Sequence, residues 1–277
     1  MFALLRCVFL FGATAVAALL TPTFGAQSAD CRPGAVEKLR ALAPEGFAVY
    51  TDIKDKKFFL NWINCDDLQL GLSTAVHESV HHLTEDHDAF PLLDGHLLPR
   101  PHQASKFFPP SAIAGKFGRN DMFASTYLHA GRATSASDFL YLLDEMNAYT
   151  HDLNAAISLN KLRPADQFVA HRDGLAALMA FVAVYVQTAE ENQPATWAGL
   201  QKLIPELSEL WTQAETILEA SCRVPDFGSQ DQTSIRQFCG AKPQASLAKL
   251  LGRTPVCPAQ CLTSARSAAR QWPRVSE

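Results

Sequence analysis

The chain has no long run of lysine and arginine, no internal repeat and no low-complexity tract. Its net charge is −4, and without a basic patch it has little to offer a phosphate backbone, which argues against nucleic acid as a partner. It contains no N-x-[ST] sequon, and the absence of this acceptor favours a bacterial periplasmic or secreted setting. Its content of 48% hydrophobic and 19% charged residues is typical of a soluble globular protein.

The N-terminus carries a sustained apolar run, from Cys7 to Leu20, and Arg6 precedes it. Thr21 and Pro22 end the run, and small residues follow, which is the pattern of a secretory signal peptide. The run is short for a bilayer, so an uncleaved anchor is the secondary interpretation. We therefore predict a signal peptide over residues 1–28, a secreted or periplasmic location, and no stable membrane span after cleavage.

Cysteine usage agrees with export. Removal of residues 1–28 leaves six of the seven cysteines, and none of them forms a C-x-x-C pair. An even number of cysteines in an oxidising compartment predicts up to three disulfides. Proximity along the chain favours Cys31–Cys65, with the four C-terminal cysteines pairing among themselves. A cysteine-ligated zinc site is the alternative, but Cys257 and Cys261 lack a matching second pair.

Hydrophobic periodicity predicts an α+β fold that is mostly helical, with a small sheet before the helix that carries four of the nine histidines. Residues 29–220 should form the main domain, and residues 221–277 should form a cysteine-containing helical tail packed on it. Glycine and proline between residues 86 and 135 indicate a long loop region. Predicted strands cover 46–53, 58–62 and 123–128; predicted helices cover 32–43, 66–84, 138–159, 195–220 and a segment from Pro164 through 186, which is apolar nearly all round.

Four of the nine histidines fall between residues 77 and 87. Within this stretch, His77-Glu78-Ser79-Val80-His81 has the pattern H-E-x-x-H. Two histidines at i and i+4 on a helix lie on one face, where both rings can bind the same metal ion. The intervening Glu78 can then act on a metal-bound water as a general base. A solvated histidine-rich helix face is the alternative interpretation.

This motif resembles the active-site helix of the zincin metallopeptidases. The resemblance implies zinc bound by His77 and His81, with Glu78 as the catalytic base. The gluzincin branch takes its third ligand from a glutamate on a second, downstream helix, which implies Glu145 here. The metzincin branch would use His87 instead, but Thr84 stands where that branch has a glycine that turns the chain sharply. Asp86, Asp88 or no third protein ligand are further alternatives.

Other polar residues are weaker candidates for the site. Tyr149 lies one turn after Glu145, where the thermolysin-like branch has an aspartate, so the tyrosine is a departure from that pattern. Tyr149, His151 or His171 could donate a hydrogen bond to the oxyanion that forms when a carbonyl is attacked. His82 should face away from the pair formed by His77 and His81.

The sequence therefore predicts an exported zinc-dependent peptidase that acts on a peptide or protein substrate. The rival prediction is a zincin-like domain that no longer cleaves and serves as a zinc-binding or protein-interaction module. The presence of Glu78 favours the enzyme, because a site that only binds zinc has no need of a base beside it.

Overall fold

The structure is a computed structural model and describes residues 30–164, 170–225 and 227–263. The predicted signal peptide, residues 1–28, lies outside these ranges. The described residues are mostly helical and include one antiparallel sheet of two strands, which confirms the predicted mainly helical α+β class. No described helix is long and apolar enough to cross a membrane.

Three short helices open the described chain, although two strands were predicted at residues 46–53 and 58–62. That prediction is wrong because the charged turn between the two segments caps helices instead of closing a hairpin. The carboxylate of Asp55 accepts hydrogen bonds from the first backbone amides of the third helix. Lys56 Nζ donates to the carbonyls of Tyr50 and Ile53, at the end of the second helix. The helices are α1 (Arg32–Leu42), α2 (Pro44–Asp52) and α3 (Lys56–Asn61).

Helix α4 (Leu68–His87) carries the H-E-x-x-H motif. Asp67 caps its first turn by accepting a hydrogen bond from the backbone amide of Leu70. The predicted apolar stripe of Val76, Val80 and Leu83 is buried. The helix continues past Thr84 without the sharp change of direction that the metzincin pattern requires. It ends at His87, and Asp88 caps it with a left-handed φ of 50°.

The sheet follows α4, so the prediction of a sheet before this helix is wrong. It is a hairpin of β1 (Ala89–Pro91) and β2 (Leu97–Pro99), with Phe90 opposite Leu98. The loop region beyond it contains short 3-10 turns and α5 (Met122–Tyr127), where a strand was predicted. Asp121 caps α5 by accepting a hydrogen bond from the amide of Ala124, which stabilises a helix over that β-prone segment.

The second half of the chain is helical. Helix α6 (Phe139–Ser158) agrees with its prediction, and α7 (His171–Asn192) is buried on nearly all sides, as predicted for a core helix. The start of α7 predicted at Pro164 is not observed, and residues 165–169 lie outside the described ranges. The single helix predicted over 195–220 is two helices, α8 (Pro194–Leu200) and α9 (Ile204–Ser221), joined by a 3-10 turn. Pro205 lies in the first turn of α9, where its missing N–H costs nothing.

Three further helices and two disulfides complete the described chain. The bridges are Cys222–Cys261 and Cys239–Cys257, in addition to Cys31–Cys65 near the start, so the predicted grouping of the cysteines is confirmed. The helices are α10 (Asp231–Phe238), α11 (Ala241–Leu251) and α12 (Ala259–Thr263).

Helices α4 and α6 pack along their length between two hydrophobic clusters. The first cluster is centred on α7 and includes Leu142 and Met146 of α6. The second is built on α1 to α3 and includes Val76 of α4 and Ala148 and Ala155 of α6. Because α6 packs into both clusters, its position relative to α4 is fixed from two sides.

Candidate metal centre

Three side chains from α4 and α6 converge at the contact between these helices. The imidazole nitrogens of His77 and His81 and a carboxylate oxygen of Glu145 all lie within 4.8 Å of one another. The two histidines are one turn apart on the buried side of α4, and Glu145 faces them from α6. The structure thus brings together the three residues predicted as ligands, although they come from segments more than sixty residues apart.

The separations between these atoms suit one small ion. His77 Nε2 and His81 Nε2 are 3.3 Å apart, and Glu145 Oε2 lies 3.8 Å and 3.6 Å from them, respectively. Ligand atoms about 2.1 Å from an ion in a tetrahedral site are about 3.4 Å from one another. Glu145 Oε2 is also buried and has no hydrogen-bond partner among the described residues. A buried carboxylate oxygen without a partner is costly unless a cation is bound. The group could therefore hold a metal ion.

The orientation of His81 is set by Asp144, the residue that precedes Glu145. His81 Nδ1 donates a hydrogen bond to Asp144 Oδ2 at 2.6 Å. Asp144 thereby occupies Nδ1, and Nε2 is the ring nitrogen that faces His77 and Glu145. A carboxylate that holds the far nitrogen of a histidine ligand is the usual support of such a ligand in metalloproteins. Asp144 therefore positions His81 for metal binding.

The electrostatic environments of the two histidines differ. Burial lowers the pKa of His77, and the neighbouring His81 lowers it further, so His77 is neutral, the form that binds metal. Burial also acts to lower the pKa of His81, but the hydrogen bond to Asp144 and the negative charges of Asp144 and Glu145 outweigh it and raise that pKa to about 10. Metal binding at His81 Nε2 would displace a proton from this ring.

Glu78 and two tyrosines lie around the group of His77, His81 and Glu145, which we call the metal group. Glu78 is half-buried, and its charge acts on both His77 and Tyr127. The ring of Tyr149 packs edge-to-face on the ring of His77, with 4.5 Å between the centroids. The hydroxyl of Tyr149 is hydrogen-bonded to that of Tyr127 at 2.8 Å. Burial raises the pKa of both phenols, so both remain protonated and able to donate.

The fold makes room for Tyr149 by a glycine on α7. A Cβ at Gly174 would lie 2.2 Å from Tyr149 Cε1, which no real contact allows. The same ring is held from the other side by His77 and by Phe123 of α5, whose centroid lies 6.2 Å away. Tyr149 is therefore fixed beside the metal group by three elements.

The remaining candidates lie elsewhere. His87 is in the last turn of α4, where its Nε2 is 3.0 Å from Asp52, so the chain does not bring it to the other two histidines. His82 is exposed and packs on Phe58, on another face of α4, as predicted. His151 Nε2 donates to the carbonyl of Pro91 at 2.9 Å, and His171 is bound to Asp152 through its Nδ1 at 3.0 Å.

Two residues of the site were missed by the sequence analysis. Asp144 was not predicted as a site residue, because the apolar stripe alone does not show that α4 packs against its side of α6. Tyr127 was assigned to a strand, and the Asp121 cap just before α5 was the available signal against it.

Comparison of the chain with protein-family models, with curated proteins and with solved structures finds no match.

Proposed function

We propose that the protein is an exported zinc-dependent peptidase of gluzincin type. The observation that carries this proposal is the position of Glu145, which completes a group of two histidines and one carboxylate while Glu78 stays outside it. Two histidines and one glutamate, with a fourth position open for water, form a common ligand set of catalytic zinc. The three disulfides and the N-terminal apolar run support export.

Each residue would have a distinct task. His77, His81 and Glu145 would hold zinc, which when bound polarises a carbonyl and acidifies water. Glu78 would take a proton from the attacking water and pass it to the leaving amine as the C–N bond breaks, so one water is consumed and one acid and one amine are released. Tyr149, whose hydroxyl is paired with that of Tyr127, would donate to the oxygen that becomes negative.

The first test measures metal content. Purified protein should contain about one zinc per chain by elemental analysis. His81→Ala should remove the metal, whereas His82→Ala, one residue away on an exposed face, should not. Absence of zinc both after mild purification and after reconstitution would refute the metal assignment.

The second test separates catalysis from binding. Glu78→Gln should keep zinc and lose hydrolysis of a broad peptide library by about 10²- to 10⁴-fold, as the loss of a general base implies. Glu85→Gln removes an exposed acid from the same helix and should change neither property. If wild type and Glu78→Gln bind zinc and are equally inert, the protein is a zinc-binding module without peptidase activity.

A further inference from the structure

The contact between α4 and α6 extends beyond the metal centre. His77 meets Tyr149 and His81 meets Asp144, so the two helices run in opposite directions. Past Glu145 along this contact, the next residue on the same side of α6 is Tyr141, one turn earlier in the chain. Past His81, α4 ends at His87 and Asp88 follows it, about 10 Å beyond His81 along the helix axis.

An arginine lies at this end of the contact. The hairpin of β1 and β2 leaves α4 at Asp88 and returns beside it, where the amide of Arg100 donates to the Asp88 carbonyl at 3.3 Å. The guanidinium carbon of Arg100 lies 5.3 Å from the ring centroid of Tyr141. The side chain of Arg100 is only 8% exposed. A cation is thus buried about two helical turns from the zinc ligands.

The anion that faces this buried guanidinium among the described residues is a distant and exposed one. Its ion pair with Asp88 spans 3.9 Å, and that carboxylate is 63% exposed and lies 2.9 Å from His102. Arg100 Nε is buried and has no hydrogen-bond partner within the described chain. Thr84 Oγ1, on the face of α4 that carries His81, is also buried and has no hydrogen-bond partner there. A buried charge with an unused donor is costly, and a bound anion would offset that cost.

We infer that Arg100 binds the free C-terminal carboxylate of the substrate, so that the enzyme is an exopeptidase acting at the C-terminus. This inference rests on the proposed peptidase function. A guanidinium presents two parallel donors that match a carboxylate. Each extended residue spans about 3.5 Å, so a chain with its scissile carbonyl at the metal centre reaches Arg100 after one or two residues. The product is therefore a single amino acid or a dipeptide.

The test compares two peptides that differ only in a free or an amidated C-terminus. Wild type should cleave the free acid with a kcat/KM at least about 30-fold higher than that of the amide, since an arginine–carboxylate pair in a desolvated site contributes strongly. Arg100→Gln should bring this ratio close to one, and Arg100→Lys should restore only part of it. Arg223→Gln, at an exposed arginine, should keep the full ratio.

A binding measurement gives a readout that does not depend on turnover. Zinc-loaded Glu78→Gln should bind the free acid at least about tenfold more tightly than the amide in calorimetry, and adding Arg100→Gln should remove the difference. If wild type cleaves both peptides equally, the role of Arg100 is refuted while the peptidase stands. If it cleaves neither, the proposed function fails and this inference fails with it. If Arg100→Gln loses its zinc, the comparison of the two peptides on the wild type still decides whether the enzyme requires a free C-terminal carboxylate.

Discussion

Two of the clusters of buried charge in the described chain differ in how completely their polar atoms are used. The first is the metal group with Asp144. The second is the pair Arg172 and Asp173 at the start of α7. In the first cluster, Glu145 Oε2 and Asp144 Oδ1 have no hydrogen-bond partner among the described residues.

The second cluster is saturated. Arg172 donates to the hydroxyl and carbonyl of Ser221, to the carbonyl of Val224 and to the carboxylate of Asp231. Asp173 accepts from three consecutive backbone amides at residues 229–231 and from the Ser229 hydroxyl. Burial raises the pKa of Asp173, although the hydrogen bonds from these amides act to lower it.

The difference distinguishes two uses of buried charge. A cluster in which each group has its partners ties together distant segments, here the start of α7 with the region before α10. A cluster that leaves carboxylate oxygens unpaired has capacity for a cation from outside the chain. The metal group should therefore respond to added zinc, and the arginine cluster should respond only to mutation.

The largest effect on stability is expected from the saturated cluster. Arg172→Met should lower the free energy of unfolding by about 3–5 kcal/mol, because it leaves the buried Asp231 carboxylate without its arginine. Urea denaturation measures the loss. Replacing Asp231 by Leu as well should recover much of it, since an apolar pair avoids the uncompensated charge. An equal loss in both variants would mean that the ion pair is not the cause.

Zinc should stabilise the unsaturated cluster by a similar amount. At free zinc a thousand times the dissociation constant, wild type should gain about 4 kcal/mol in unfolding free energy. Glu145→Ala should lose this gain, because it removes one of the three ligands. A full zinc effect in Glu145→Ala would contradict the assigned ligand set.

His151 lies between the two cases, because one of its nitrogens is bonded and Nδ1 has no partner in the described chain. Burial lowers its pKa to about 4, against 6.5 in the unfolded chain, although the hydrogen bond to Pro91 opposes the shift. The unfolded state therefore binds more protons between pH 6.5 and 4, and stability falls as the pH is lowered through this window, by up to about 3 kcal/mol. His151→Gln should flatten the curve of stability against pH there. An unchanged curve would show that His151 titrates normally.

The smallest expected effect is on metal affinity through Asp144. Asp144→Asn keeps the shape of the side chain but removes the charge that orients His81. Zinc affinity should fall by about 10- to 100-fold in a competition titration with a chelator. Asp138→Asn, at the cap of the same helix, should leave zinc affinity at the wild-type value. A full effect from Asp138 and none from Asp144 would place the support of His81 elsewhere.

Much of the site was predictable, because its spacing is local. The i, i+4 pair His77 and His81 and the intervening Glu78 follow from one helix, and α4 forms over them from its cap at Asp67. Glu145 was predicted from the resemblance to the gluzincin branch, and the structure places it beside His77 and His81. The cysteine grouping also followed from positions along the chain alone.

The wrong strand predictions share one physical cause. The segments 46–53, 58–62 and 123–128 are rich in residues that favour strands, yet each lies in a helix that is capped by a neighbouring Asp or Lys or started by Pro44. Single side-chain caps and packing outweigh the small free energies of strand propensity. The hairpin of β1 and β2 was missed for another reason, since its glycine and prolines predicted a loop.

The sequence by itself determined the helix that carries the two histidines, the glutamate beside them and the grouping of the cysteines, because each depends on short-range geometry or on counting. Only the tertiary structure decided which carboxylates meet that helix. Asp144 and Glu145 are adjacent in the chain and similar in chemistry, yet the packing of α4 on α6 directs Asp144 to His81 Nδ1 and Glu145 to the two Nε2 atoms. Register between distant helices is set by side-chain packing across their interface, which no local pattern encodes.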